Sequence, residues 1–249
     1  MKTPRTTVLE INADNALSKP YLMILLLAGI AGAMDAVDFR EYGVFTANQA
    51  GNLVLVWERL TTDPALALLS LFSLVGCAVG IVVVILMRLW FPYFVQPSGS
   101  RSLLFVSAVL LIVTALAGRN LAKPVRELTA GELEIGTEAW WAAAASVSSS
   151  AMALAVMGTI FVMVGSDRAQ IIAGTGPFID TVRYSVASLF TRDRDWVQKF
   201  KAIVWFPIAW TLGAAVASLI PVNRGAIAAL CALTICGIAV ASRRVGSIT

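Results

Sequence analysis

From residue 20 to residue 241 the chain is almost unrelieved Leu, Ala, Val and Ile, cut by short polar breaks. A run of about 20 apolar residues is what a helix needs to cross a bilayer. Eight apolar segments are legible, at roughly 20–38, 44–60, 65–90, 102–118, 139–165, 169–190, 199–220 and 225–241. The pattern predicts an all-α integral membrane protein, a helical bundle of six to eight spans. The span count stays open because the segments at 44–60 and 169–190 are interrupted by polar residues and glycine. Each reads either as a short tilted span or as a re-entrant element covered by protein.

The breaks sort the segments into two halves. A polar tail, residues 1–19, ends at Ser18-Lys19-Pro20, where Ser18 can cap a helix with Pro20 in its first turn. The first half covers 20–118, a charged linker 119–138, the second half 139–241 and a short tail 242–249. The first segment reads as an uncleaved span rather than a signal peptide, because about twenty mixed polar residues precede it. Thr61-Thr62-Asp63-Pro64 is a turn and helix start, and Trp140-Trp141 opens the second half. Each half runs through a first span, a polar Gly-containing segment, a small-xxx-small span and a plain apolar span. Gly51 aligns with Gly176, and Gly76/Gly80 with Gly213/Ala217. Internal duplication of this kind is a frequent build for transporters. An even number of spans per half makes the repeats parallel and an odd number inverted. Gly29, Gly32 and Ala36 give the first span a small-residue face, and Gly76/Gly80 and Gly213/Ala217 do the same for later spans.

Composition sharpens the class. Of 249 residues, 58% are hydrophobic and 14% charged, against about a quarter charged in soluble domains. That leaves no room for a separate soluble domain. The net charge of +4 comes from Lys and Arg concentrated in loops on one side, as the positive-inside rule requires. No basic run is interleaved with aromatics, which argues against nucleic acid as a partner. The three cysteines lie in apolar segments, and Cys231 and Cys236 lack a zinc spacing. With no histidine in the chain, a Cys/His metal site and a His-activated thiol are both ruled out of the reading. No Ser-His-Asp set, phosphate loop or dinucleotide fingerprint is visible. The expectation is a protein that is not an enzyme and holds no cofactor or metal.

Against the apolar background, a few polar residues stand out as candidates for a substrate or ion site. Asp35 lies toward the far end of the first span, where a carboxylate costs about 2.5–3.5 kcal/mol and marks a pathway or ion pair by default. It reads either as such a group, a candidate proton or cation carrier, or as an acid that has reached the interface. On either reading Asp35→Asn is expected to insert and fold like the parent. Asp38, with Arg40 and Glu41 beside it, reads as a wet interfacial acid. Asn48, Gln49 and Asn52 around Gly51 can line a path, coordinate a cation or hydrogen-bond between helices. Gly174, Thr175 and Gly176 echo them. Asp180 and Arg183, three residues apart on one helix face, read as an internal salt bridge. The two Gly-containing segments are expected to come together at a central site.

Gly32-Ala-Met-Asp35-Ala36, then Gly43-Val44-Phe45, Asn48 and Gly51-Asn52, followed in the second half by Met157-Gly158 and Thr175-Gly176, resemble the YoaK family of bacterial multi-span membrane proteins, a domain of unknown function. Ala50 stands where that family has Thr, and Ile160 or Phe161 where it has Gln. The resemblance implies an inner-membrane protein and a permease, with no substrate attached to the family name. Two functions follow. One is a transporter of a small molecule or ion with a site between the halves. The other is a membrane subunit that packs against partner proteins, pigments or lipids, as a homo-oligomer or within a complex. With Lys and Arg biased to one side, both termini are expected in the cytoplasm of a bacterium. Reporter fusions at residue 1 and residue 249 should both report inside. An external carboxyl terminus would break every span arrangement considered.

Overall fold

The computed structural model describes residues 9–11, 19–91, 97–120, 134–159, 161–164, 167–170, 175–191, 194–219 and 223–241. The protein is an all-α membrane protein. Its helices are α1 (Lys19–Tyr42), α2 (Gln49–Arg59), α3 (Pro64–Trp90), α4 (Pro97–Ala117), α5 (Glu138–Gly158), α6 (Thr175–Thr191), α7 (Arg194–Ile203), α8 (Trp205–Leu219) and α9 (Arg224–Ala241). Five stretches are long and apolar enough to cross a bilayer: Tyr21–Tyr42, Pro64–Trp90, Glu138–Gly158, Arg194–Leu219 and Arg224–Ala241. Arg101–Ala117 is a shorter apolar helix. α2, with 11 residues, is only about 16 Å long and cannot cross a core of about 30 Å.

Several boundaries differ from the expected ones. α1 runs on to Tyr42, past residue 38, with Asp35 and Asp38 accommodated inside the bundle and Gly43 (φ +69) following its last residue. The segment expected to span 139–165 ends as a helix at Gly158, and Phe161–Val164 and Asp167–Gln170 form strands β2 and β3. They pair antiparallel, and β1 (Leu9–Ile11) joins β2 in parallel. β-branched apolar residues such as those in Phe161–Val164 suit a strand as well as a membrane helix, and hydropathy alone does not separate them. Ser18, most of the 119–138 linker and the tail 242–249 lie outside the described residues.

Helix ends follow local chemistry. Asp63 caps α3, its side chain accepting from the Leu66 N–H at 3.1 Å, with Pro64 in the first turn. Thr137 caps α5 in the same way, through the Trp140 N–H at 3.2 Å.

Two helix seams carry the bundle, and glycine makes both. α1 packs on α8, where a Cβ on Gly32 would overlap the Trp210 backbone and one on Gly213 the Gly29 backbone. α3 packs on α5, where Gly76 faces the Ser148 backbone and Gly80 that of Met152. Lipid tails supply no hydrophobic drive between helices, so such backbone-to-backbone approach supplies the packing. α4 sits against both α5 and α9, so the two seams are joined into one bundle. Trp140, fully buried, packs edge-on to Phe72 with ring centroids 5.4 Å apart.

A side chain at these glycines must push helices apart. Gly213→Val is expected to lower the melting temperature of the purified protein by several degrees or to abolish folding. Gly237→Ala is expected to leave it unchanged, because nothing lies within 4 Å of its added Cβ. Thermal unfolding in detergent compares the two.

Candidate functional site

The polar residues of the first half assemble where α1 breaks. α1 ends at Tyr42, and Gly43 adopts φ +69, a left-handed conformation that favours glycine. The Arg59 guanidinium returns from α2 to donate to the Gly43 carbonyl at 2.7 Å. The backbone then runs irregularly to Asn48. In a bilayer such backbone survives only if protein groups satisfy it, and here side chains do so. Asn52 accepts from the Phe45 N–H at 2.9 Å and donates to the Phe45 carbonyl at 2.5 Å. Gln49 donates to the Thr46 carbonyl at 2.8 Å and to Ser73 at 3.2 Å. Ser73 also donates to the Phe45 carbonyl at 2.7 Å. Phe45 stacks on Phe39, 4.6 Å between centroids, and covers Gly51. Ser73 lies nine residues into α3, so the break is held about 13 Å along α3 from its start.

Asp35, 1% exposed, is bound to that break. Its carboxylate accepts the backbone N–H groups of Thr46 (2.7 Å), Ala47 (2.6 Å) and Asn48 (3.1 Å). These are the orphan donors ahead of α2, whose Asn48 cap makes no side-chain capping bond of its own. Asp35 therefore satisfies, from another helix, the irregular backbone that leads into α2, and it faces the amino-terminal end of that helix, where the dipole is positive.

One turn on, Asp38 is fully buried. The reading of Asp38 as a wet interfacial acid is corrected. Its Oδ2 accepts from the Thr46 hydroxyl and the Ser150 hydroxyl, each at 2.7 Å. Its Oδ1 accepts from Nε of Arg224. Thr46 thus touches both acids, its N–H on Asp35 and its hydroxyl on Asp38. Arg224, 5% exposed, opens α9. It also donates to the Ser146 hydroxyl and, at 3.4 Å, to the Thr114 and Ser146 carbonyls. Its guanidinium lies 4.5 Å from the Tyr42 ring centroid, a cation–π contact. Thr114 and Ser149 share a hydrogen bond of 2.7 Å beside it. Gly118 leaves the room, since a Cβ there would stand 3.1–3.2 Å from Arg224 Nη1, the Tyr42 hydroxyl and the Ser146 hydroxyl. Ser150 sits twelve residues into the 21-residue α5, near the middle of that span and about 18 Å from its start.

The second-half candidates lie elsewhere. α2 packs on α3 at the carboxyl-terminal end of α1, whereas α6 packs on α7. At the other end of α1 the Tyr21 hydroxyl donates to the Ala202 carbonyl of α7 at 2.8 Å, and Tyr184 of α6 packs on Trp196 of the same α7. Asp180 and Arg183 are therefore not brought to the Asp35 cluster. No ion pair joins them among the described residues, and the Arg183 guanidinium instead lies 5.9 Å and 6.0 Å from the Tyr184 and Trp196 rings. Gly174 lies outside the described residues, and Thr175 and Gly176 open α6. Arg224, Ser146 and Ser150 were missed in the sequence. Arg224 follows Pro221-Val222-Asn223 and looks like a loop cation, and the serines sit in an Ala/Ser run. The one available signal was an arginine at the head of an apolar segment.

Comparison with known families shows one match: a family model described as "Protein of unknown function (DUF1275)" matches residues 23–242. No curated protein and no solved structure matches.

Two outcomes follow from this geometry. Removing one partner of a buried pair costs about 3–5 kcal/mol, because the other charge is left unmatched. Asp38→Leu and Arg224→Met should each be strongly destabilising, and the double variant should lose clearly less than their sum. Additive losses in thermal unfolding would show that the pair is not coupled. Asp35→Asn is now expected to destabilise by about 1–3 kcal/mol, because an amide nitrogen would face backbone N–H donors in place of a carboxylate oxygen. This reverses the expectation from sequence that the amide is tolerated.

Proposed function

The chain belongs to the DUF1275 family over residues 23–242, and we propose that it is a permease for a small molecule or ion, captured with its path closed at Asp38 and Arg224. The observation that carries this reading is a buried Asp–Arg pair, with a second buried acid beside it, where α1 ends and α9 begins, against Ser150 near the middle of α5. A buried ion pair is weak as a stabilising device, since well-packed apolar residues do as well or better. Within a membrane, ionisable groups mark substrate, ion or proton pathways by default. The pair is formed where α1 and α4 of one half meet α5 and α9 of the other. The break at 43–48 resembles the discontinuous helices that build transporter sites, with a half-helix amino terminus directed into the protein.

The proposed halves are 20–118 and 139–241. With α7 and α8 taken as one span, and the 21-residue α4 counted as a sixth span beside the five, each half holds three spans and one shorter helix, which makes the repeats inverted. Exchanging α1 with α5 and α3 with α8 turns the α1–α8 seam into the α5–α3 seam, and both seams are present. Six spans put both termini on one side, and the Lys and Arg distribution favours the cytoplasmic side of a bacterial inner membrane. Opening the path requires Asp38 to release Arg224. Protonation of Asp38 or binding of a cation there would neutralise the charge that holds the guanidinium.

The rival is a membrane subunit that transports nothing. It is favoured by one observation: both oxygens of Asp35 and of Asp38 are already satisfied by protein donors. Flux separates the two. In liposomes holding the purified protein under an imposed potential, the permease reading expects proton or small-cation flux from the parent. It expects at least a tenfold loss in Asp38→Asn and a loss in Asp35→Asn, with Gly237→Ala unchanged. A parent indistinguishable from empty liposomes favours the subunit, and parent flux unaffected by Asp38→Asn removes the pair from the mechanism.

A further inference from the structure

A second break in a spanning helix lies at the other end of α1, about 26 Å along its axis from Asp38. The stretch Arg194–Leu219 is long and apolar enough to cross the bilayer, yet it is two helices, with α7 ending at Ile203 and α8 beginning at Trp205. Pro207 accounts for the break. Its ring nitrogen carries no hydrogen, so it cannot donate to the Ile203 carbonyl four residues earlier, and the ring crowds that turn. The Val204 N–H still donates to the Phe200 carbonyl at 3.0 Å, and the helix lapses at that residue.

Tyr21 of α1, buried, sits across this joint. Its ring packs edge-on against Phe206 of α8, with centroids 5.8 Å apart. Its hydroxyl donates to the Ala202 carbonyl of α7 at 2.8 Å. One side chain thus holds both sides of Val204, with the ring on one and the hydroxyl on the other. The ring contact survives small shifts, but a hydrogen bond weakens steeply with distance and angle. The hydroxyl is therefore the part that registers the position of α7. Beyond the joint, α6 and α7 pack on each other, the Tyr184 and Trp196 rings lying 5.7 Å apart between them. Those contacts travel with the pair, and β2 and β3 lie against the same two helices. On its outer flank α6 exposes Phe178, Ile179, Leu189 and Phe190. Lipid covers that flank, and fluid lipid resists displacement less than close-packed protein does.

We propose that Val204 is a hinge on which the α6–α7 pair swings away from α1, with the Tyr21 hydroxyl as the latch that holds it shut. Proline is a place where helices bend sharply, and hinges are a few element-terminal residues that absorb the change in backbone angles. The swing uncovers Tyr184, Ala202 and Ile203, all buried here, at the end of α1 away from Asp38. The hinge does not depend on the permease reading. On that reading it is the element that closes the second end of the path, and its test reads motion rather than flux, so that either can fail alone.

The test is backbone hydrogen exchange, read by mass spectrometry on the full chain in lipid nanodiscs. Tyr21→Phe keeps the ring on Phe206 and removes only the hydroxyl. It should speed exchange in α6 and α7 together about fivefold, the effect of one hydrogen bond at about 1 kcal/mol, and leave α5 unchanged. Pro207→Ala restores an N–H opposite the Ile203 carbonyl, and it should slow exchange in the same two helices by a similar factor. α6 is the deciding readout, because it is not part of the kinked helix and responds only when the pair moves as a unit. A fixed kink predicts changes confined to residues 200–207. That outcome in either variant, a change spread evenly over the chain, a change of the wrong sign, or no change in α6 would overturn the hinge. Should Tyr21→Phe not fold, the response of α6 to Pro207→Ala decides by itself.

Discussion

The structure depends on the pairing of Arg224 with Asp38. In water a guanidinium and a carboxylate separate at little cost, but at membrane depth buried donors and acceptors need protein partners. The Arg224 side chain meets that demand by reaching α1 through Asp38, α4 through the Thr114 carbonyl and α5 through Ser146. Four helices are thereby held to one register by one side chain. The space for it is conditional on Gly118, and the Tyr42 ring covers the remaining face of the guanidinium.

The same constraint explains the break after α1. Two acids and one arginine leave a carboxylate without a cation, and Asp35 finds its counterpart in backbone. Three N–H groups and the amino-terminal end of α2 supply partial positive charge to it. The irregular residues 43–48 are in turn held by Asn52, Gln49 and Ser73, so local backbone and buried charge satisfy each other. Thr46 joins the two parts, with its N–H on Asp35 and its hydroxyl on Asp38. A change at either acid is therefore felt at the start of α2.

The glycine seams and the charge cluster play different parts. At α1–α8 and α3–α5 the backbones come close because side chains are absent, and dispersion holds them over a long contact. Such seams tolerate sliding better than a hydrogen-bonded cluster, whose donors and acceptors match in only one arrangement. Among the described residues the charge cluster joins α1, α4, α5 and α9, the helices that come together from the two proposed halves. A bundle with close apolar seams and one polar junction concentrates its specificity at that junction.

What the sequence by itself determined is whatever depends on a residue and its near neighbours. The membrane class, most helix positions, the Asp63-Pro64 helix start and the small-residue faces at Gly29/Gly32, Gly76/Gly80 and Gly213 could all be read there, because hydropathy, caps and missing side chains act locally. Asp35, Gln49 and Asn52 were also visible, as polar residues in an apolar run. Their roles were not, because Asp35 is explained by N–H groups 11 to 13 residues away. Only the tertiary structure decided that Asp38 is buried rather than wet, since its arginine lies 186 residues along the chain and nothing beside either residue announces the other. It likewise ended α5 at Gly158 and turned Phe161–Val164 into a strand, where hydropathy is the same for both outcomes. It also set α2 and α6 at different ends of α1, because two similar polar segments in a sequence do not say which end of the bundle each will reach. Burial of a charge is a property of a pair, and long-range pairs form only when the chain is folded.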